Sequence, residues 1–282
     1  MVREAMCQSA GILAVKREDV IRCGTDRQFD MSDDSGSSLS RMLAILDRFS
    51  IERFEWTVEE LSQAMDYTPS STYRYVRALS RAGLLARLPA GTYVVGAKII
   101  ELEALTRRVD PIVLAAQPVL AELSRQTGCT CMLSSVYGDR LINVAQHVGL
   151  EPVDVAYTRG EPLPWFRGAP GMAVLAFMSA HRIRKLYEKF GPADAEDARD
   201  QDWREIRGRL KAIRQTGYSV SIGELQPQLV GFGVPVIPQG DPIGSISLVC
   251  TRQRADLLDS QGIGKLIVDQ ARELSERING AP

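Results

Sequence analysis

Two helix starts eleven residues apart constrain this chain more than any other feature. Thr57 precedes Val58-Glu59-Glu60-Leu61, a capping box with Thr57 as N-cap and Glu60 three positions on. The pattern predicts a helix from about Val58 to Met65. After Asp66-Tyr67, Thr68 caps a further helix with Pro69 at its first position, where the missing N–H costs nothing. That helix should end near Gly83. At about 100° per residue, Thr72, Tyr75, Val76 and Leu79 fall on one side and Ser70, Arg74, Arg77 and Arg81 on the other. Upstream, Leu39, Met42, Leu43, Leu46 and Phe49 carry the spacing of one more amphipathic helix. Downstream, Leu84–Leu88 and Thr92–Val95 flank Pro89-Ala90-Gly91, a short Gly-containing loop that reads as a β-hairpin. Three helices and a hairpin over residues 39–96 make a winged helix-turn-helix.

Charge supports that reading. The 282-residue chain has a formal net charge of −1. Residues 39–109 carry ten basic and eight acidic side chains, against five and seven before them and nineteen and twenty after. Residues 70–88 hold Arg74, Arg77, Arg81 and Arg87 and no acid. A local cationic stripe on a nearly neutral protein marks a surface for a polyanion. A solvated helix face is the usual meaning of a charge run, but placement on the third helix of a helix-turn-helix favours DNA, where such a helix enters the major groove and arginines also fork onto phosphates. Thr57, Ser70, Ser71, Tyr73, Arg74, Arg77 and Arg81 are the candidate groove or backbone contacts. Arg87, on the wing, is assigned to a phosphate.

The length suggests two domains. With 45 % hydrophobic and 24 % charged residues the chain has globular composition. Apolar runs such as Ala173 to Met178 are far shorter than the roughly 18 residues that cross a bilayer, so no membrane partner is expected. Gly11 to Val15 is too short for a secretion signal. Residues 1–38 show no sustained period and end in a Ser/Asp/Gly run, so a flexible leader is expected. Ala97–Val109 should be a linker helix with Ile99, Leu102, Leu105 and Val109 as its seam, ended by Asp110-Pro111. Beyond it, helices are expected at Pro118–Thr127, through most of Gly171–Phe190, at Asp202–Thr216 and at Gln261–Ile278. Strands are expected at Thr130–Tyr137, Leu141–Gln146, Val153–Tyr157, Tyr218–Ile222, Gly231–Ile237 and Ile243–Thr251. Residues 111–282 thus form an α+β domain with an antiparallel sheet.

Five cysteines, an odd and sparse set, argue for a reducing cytoplasm rather than a disulfide framework. Cys129 and Cys131 form a C-x-C without a second pair, and two histidines in the whole chain leave no zinc ligand set. Neither a nucleophile elbow nor a Gly-rich phosphate loop accompanies His147, His181, Ser134, Ser135 or Asp139, so neither an enzyme nor a cofactor is expected.

The order of winged helix, linker helix and α+β sensor resembles the IclR family of bacterial transcriptional regulators. The resemblance rests on Ser70-Ser71-Thr72-Tyr73-Arg74, on Gly91-Thr92-Tyr93 followed by Val95-Gly96-Ala97-Lys98, and on Leu163-Pro164 with Gly171 and Ala173. Its strongest part is Gly217-Tyr218-Ser219-Val220, Gly223-Glu224-Leu225 and Val230-Gly231-Phe232-Gly233-Val234-Pro235-Val236. It implies a GAF-like effector-binding and oligomerising domain, operator DNA and a small-molecule effector as partners, and a dimer or dimer of dimers. Gly168-Ala169-Pro170-Gly171-Met172 stands where the family usually carries a lysine. Ser221 replaces a residue often acidic, and Val249 one that can be serine. With Trp165 and Phe166 these changes point to an apolar, aromatic organic acid, with Arg167 as its carboxylate partner. Met132, Ala169, Pro170, Gly171, Ser221, Leu229, Gly231, Ser247 and Val249 complete the expected effector site. The alternatives are a redox-responsive regulator using Cys129 and Cys131, and an enzyme with an appended DNA-binding domain.

Overall fold

The computed structural model describes residues 37–191 and 203–280. The chain divides into two compact units between Asp110 and Pro111. Nearly all of the leader expected at residues 1–38 lies outside the described residues. Its last two do not behave as leader: Ser37 N-caps α1 (Ser38–Ala44), accepting from the Ser40 N–H.

In the first unit, α1 gives way to a 3₁₀ turn at Leu46–Arg48. This break overturns the expected continuous seam. Ile45 becomes the fully buried residue, whereas Leu39 and Leu43 are 69 % and 52 % exposed. Helices α2 (Val58–Met65) and α3 (Pro69–Arg81) begin at their expected caps, Thr57 and Thr68. The turn between them is sharp because Asp66 adopts the left-handed conformation, φ 53°. Its neighbour Tyr67 is tied back through its carbonyl to the Ser62 hydroxyl at 2.6 Å. Strands β1 (Leu85–Arg87) and β2 (Tyr93–Val95) form the wing, with Gly91 at φ 89° in the turn. Trp56 adds a bridge to Tyr93 that the sequence pattern does not announce, and its indole N–H donates to the Arg48 carbonyl at 3.0 Å. One residue thus ties the 3₁₀ turn, through its side chain, to the wing, through its backbone. Helix α4 (Ala97–Val109) follows and buries no residue.

The second unit opens with α5 (Pro111–Thr127), seven residues earlier than expected. Pro111 supplies a suitable first residue, and Pro118 is carried inside the helix instead of starting it. Then come β3 (Thr130–Tyr137), β4 (Arg140–His147) and the short β5 (Pro162–Leu163). The single helix expected over Gly171–Phe190 is two, α6 (Ala169–Phe177) and α7 (Ala180–Phe190), because Ser179 caps a new start. Helix α8 (Trp203–Thr216), β6 (Ser219–Ile222), β7 (Leu229–Val236) and β8 (Gly244–Thr251) precede α9 (Arg252–Leu257), which the sequence reading omits, and α10 (Ser260–Gly280). The six strands form one antiparallel sheet in the order β5-β4-β3-β8-β7-β6. Val153–Tyr157 is not a strand. The Gln226 side chain claims that backbone, accepting from the Ala156 N–H and donating to the Asp154 carbonyl, both at 2.8 Å.

The two sheet faces differ in side-chain size. One carries Leu133, Ile246 and Val234 in one cross-strand row and Cys131, Leu248 and Phe232 in the next. This large apolar face belongs to the same core as Val119, Leu123, Ile267 and Leu274 of α5 and α10. The opposite face reads Thr130-Val249-Gly231-Ser221 and Met132-Ser247-Gly233-Ser219. Such small residues let α6 rest directly on the strands: a Cβ on Gly233 would lie 2.6 Å from the Ala169 carbonyl oxygen. Gly233→Ala should therefore lift α6 off the sheet and cost about 1–3 kcal/mol, the usual range for overpacking. Denaturant unfolding checks this, with Gly240→Ala, where a Cβ meets open space at φ 64°, as the comparison for backbone strain without a clash.

Candidate functional site

The first unit presents a cationic helix. Its packing side is the one read from sequence: Thr72, Tyr75, Val76 and Leu79 are buried in α3. On the other side Ser70, Tyr73, Arg74, Arg77 and Arg81 are exposed, Ser71 is half-buried, and Arg87 is exposed on β1. The Arg74 guanidinium lies 5.3 Å from the centre of the Tyr75 ring, and the Ser38 hydroxyl donates to the Tyr75 oxygen at 3.1 Å, holding that hydroxyl's pKa below its ordinary value. Thr57 is the N-cap of α2. Its Oγ1 accepts from the Glu60 N–H at 3.1 Å and donates to the Glu60 carboxylate at 3.0 Å, so the hydroxyl serves the capping box. The Ser71 hydroxyl likewise accepts from Thr68 at 3.0 Å, at the mouth of α3.

The second unit contains a cavity of about 470 Å³, mouth included, at the first turn of α6. Met132, Ala169, Pro170, Ser221, Leu229, Gly231 and Val249 of the expected set line it. Five others do not. Trp165 and Phe166 are 2 % exposed and belong to a separate core, where Trp165 Nε1 donates to the Asp139 carbonyl at 2.7 Å and Phe166 meets the Tyr187 ring edge-on. Arg167 Nη2 donates to the Glu224 carbonyl at 2.6 Å. Gly171 faces the Pro164 carbonyl oxygen, which a Cβ there would approach to 2.4 Å. Ser247 is fully buried behind Met132, its cross-strand neighbour.

Seven lining residues escape the sequence reading: Val155, Ala156, Tyr157, Leu163, Glu224, Leu225 and Gln226. Most lie in irregular backbone, where periodicity gives no signal. Glu224 had one, in the Gly223-Glu224-Leu225 motif. It is the only charged lining residue, and both its oxygens are engaged: Oε2 accepts from the Gly168 N–H at 2.7 Å and Oε1 from Arg209 at 2.6 Å. A carboxylate at a helix N-terminus is favoured by the free N–H groups and the dipole there. Glu224 therefore joins the start of α6, α8 and the loop over the cavity.

Three described cysteines are free and buried. The β3/β8 register, extended by one residue beyond Thr130–Val249, sets Cys129 opposite Cys250, and Cys129 Sγ donates to the Thr127 carbonyl at 3.6 Å. The neighbouring Cys250, with Thr127 and Arg254, holds the Cys129 thiol below its ordinary value, while burial pushes Cys131 up. In the sheet Cys129 thus lies opposite Cys250. Among the described residues no group of three His, Cys, Asp or Glu could hold a metal, and no helix is long and apolar enough to cross a membrane.

Residues 38–89 match the model of the IclR helix-turn-helix domain, and residues 104–276 match that of the bacterial transcriptional regulator IclR C-terminal domain. The chain belongs to the IclR family. A curated relative, the HTH-type transcriptional regulator Rv1719 of Mycobacterium tuberculosis, is 32 % identical over 69 % of this chain and 74 % of its own. A solved IclR transcriptional regulator from Silicibacter sp. TM1040 is 26 % identical, with a TM-score of 0.74 over 87 % of this chain and 97 % of that one. An IclR homologue from Microbacterium hydrocarbonoxydans, solved with 4-hydroxybenzoate, shares the fold at 18 % identity, with a TM-score of 0.70 over 87 % of this chain and all of that one. The curated relatives are named as transcriptional regulators, and the family is one of DNA-binding regulators rather than enzymes.

Two substitutions test these sites. Arg74→Ala should weaken operator binding by about 1–3 kcal/mol and relax preference at one base pair, the loss expected for a bidentate base contact and measurable by titration at fixed salt. Glu224→Ala should lower stability by roughly 1–3 kcal/mol, because it strips a charged acceptor from the Gly168 N–H and leaves Arg209 without its carboxylate. Glu224→Gln, which still accepts from Gly168, should lose less in the same denaturation experiment.

Proposed function

We propose that this regulator is a cytoplasmic protein whose GAF-like second unit binds a small, largely apolar organic acid and thereby modulates operator binding by the first. The observation that carries the reading is the cavity at the first turn of α6, lined mostly by apolar side chains with a few polar groups among them. Pockets for small molecules have this character. The N–H of Ala169 precedes the first intrahelical hydrogen bond, and Ala169 lines the cavity, so a ligand carboxylate has a donor there. Ser221 adds a hydroxyl, and Met132, Tyr157, Leu229 and Val249 would cover the apolar body. Arg167 and Trp165 act behind the wall, not on the ligand. The neighbour that holds 4-hydroxybenzoate agrees with an aromatic acid.

Self-association is part of the proposal. Ile99, Leu102, Leu105 and Val109 on α4 are 38–60 % exposed, and Leu39 and Leu43 add further exposed apolar surface. A second copy would bury these side chains and set two α3 helices to read a palindrome with half-sites about 10 bp apart or a multiple of that. Association of dimers through the second unit would complete the assembly.

A second reading is favoured by the placement of Cys129 opposite Cys250: a peroxide could oxidise one thiol to a sulfenic acid, which the other would displace as water to form a disulfide, making the protein redox-responsive. Native thiol labelling separates the readings. Reaction at Cys129 that sets in at a lower pH than for an ordinary thiol and alters operator affinity supports the redox response. Inert thiols leave small-molecule sensing alone.

Calorimetry with benzoate and glyoxylate tests the primary reading. Benzoate should bind more tightly, and Ser221→Ala should weaken it by roughly 0.5–1.5 kcal/mol. Preference for glyoxylate would overturn the assignment of an apolar acid. Leu102→Glu should reduce self-association and operator affinity while benzoate binding survives. Sedimentation alongside the same titration checks this, and loss of both activities would show unfolding instead.

A further inference from the structure

A polar group stands unanswered behind the cavity. Asn143 is fully buried on β4, and its Nδ2 donates to the Tyr157 carbonyl at 3.1 Å and lies 3.3 Å from Met132 Sδ. These contacts fix the orientation of the amide. Its other end, Oδ1, finds no hydrogen-bond partner among the described residues. Both of its contacts, Tyr157 and Met132, line the cavity, so the amide lies one side chain away from it.

The position of Asn143 is itself produced by an irregularity. Ala145 pairs with Leu133 and packs in the large apolar core, and a regular strand would turn Asn143, two residues away, to that same face. A bulge intervenes: Leu133 pairs with Ala145 but Ser134 pairs with Asn143, leaving Val144 as the extra residue. Bulges of this kind re-aim side chains beside functional sites. Here the bulge brings Asn143 to the face of Ser134 and Met132. Ser134 is followed across the sheet by Ser245, and both hydroxyls are buried without hydrogen-bond partners among the described residues. A buried acceptor and two buried hydroxyls therefore share one cross-strand row, and Met132, which lines the cavity, lies against its Asn143 end. Leaving such groups unmet costs free energy that a native site recovers from water or ligand.

We infer that Asn143 and Ser134 form a specificity subsite for a neutral hydroxyl group on the ligand. The inference rests on the cavity being the effector site and adds what the effector must carry beside Met132 and Tyr157. Asn143 Oδ1 only accepts, so a carboxylate, ether or methyl group cannot satisfy it. A hydroxyl donates to Oδ1 and can accept from Ser134. Met132 is the means of access, since an unbranched thioether changes rotamer more readily than a branched side chain. The ligand class is a hydroxylated, otherwise apolar molecule, and the subsite discriminates by loss: an analogue without the hydroxyl leaves Asn143 desolvated and unpaired.

The test uses phenol, toluene and anisole on the full-length protein, by calorimetry or by titration followed with NMR. Phenol should bind at least fivefold more tightly than toluene, which has its shape, and than anisole, which has the oxygen but no proton. Toluene binding as well as phenol would mean that resident water satisfies the amide, and overturns the inference. Anisole binding as well as phenol also overturns it, and so does failure of the unchanged protein to bind any of the three. Asn143→Leu should abolish the preference while toluene still binds, and a preference that survives the change overturns the assignment to Asn143. The comparison among probes on the unchanged protein stands even where the loss of the Tyr157 contact unfolds that variant. Benzoate, measured beside them, reports on the carboxylate donor of α6: its failure beside a phenol that binds removes the organic-acid reading and leaves the hydroxyl subsite supported.

Discussion

The cavity depends on how closely α6 rests on the sheet. Helices pack on strands at a distance set by side-chain size, and β7 and β8 present glycine and serine where α6 begins. Ala169 consequently meets Gly233 backbone to side, and the helix N-terminus arrives at the sheet instead of above it. The opposite face uses leucine, isoleucine and phenylalanine and closes over α5 and α10 with a continuous core. One sheet thus supports two kinds of layer. The hydrophobic face supplies stability, and the small-residue face leaves both a void and a set of buried hydroxyls.

Charge around the void is arranged with equal economy. Glu224 lies at the start of α6, where the dipole and the Gly168 N–H favour a carboxylate, and Arg209 completes the pair from α8. Arg167 holds the backbone of the same loop. Gln226, two residues on, fastens the irregular segment 154–156 through its amide. The wall opposite the sheet is therefore made of hydrogen-bonded loops rather than packed apolar side chains. Such walls open at lower free energy than core elements, which suits a site that must admit a ligand.

In the first unit the same balance appears between capping and recognition. Thr57 and Thr68 spend their hydroxyls on starting α2 and α3, and this fixes where the exposed arginines of α3 stand. Trp56 joins the wing to the 3₁₀ turn and so sets Arg87 relative to α3. Helix α4 has no buried residue, and its apolar seam is exposed.

Local chemistry made much of this legible in the sequence. The capping box at Thr57, Pro69 behind Thr68, Gly91 in the wing and the period of α3 each depend on residues a few positions apart, so the reading head and its cationic face could be drawn from order alone. The strand order and the identity of the cavity wall could not. Trp165, Phe166 and Arg167 looked like ligand contacts because they are large or charged near a helix start, yet tertiary packing turned two into core and the third onto the Glu224 carbonyl. Val155 to Tyr157 and Leu225-Gln226 line the cavity through loop hydrogen bonds between segments about 70 residues apart, which no period records. Cys129 was read against Cys131 because they are neighbours in sequence, and register placed it against Cys250. Asn143 faces the cavity side through a one-residue bulge. Sequence determined what short-range hydrogen bonding and periodicity control, whereas which distant groups share a wall was decided by pairing register and by the size of the side chains between them.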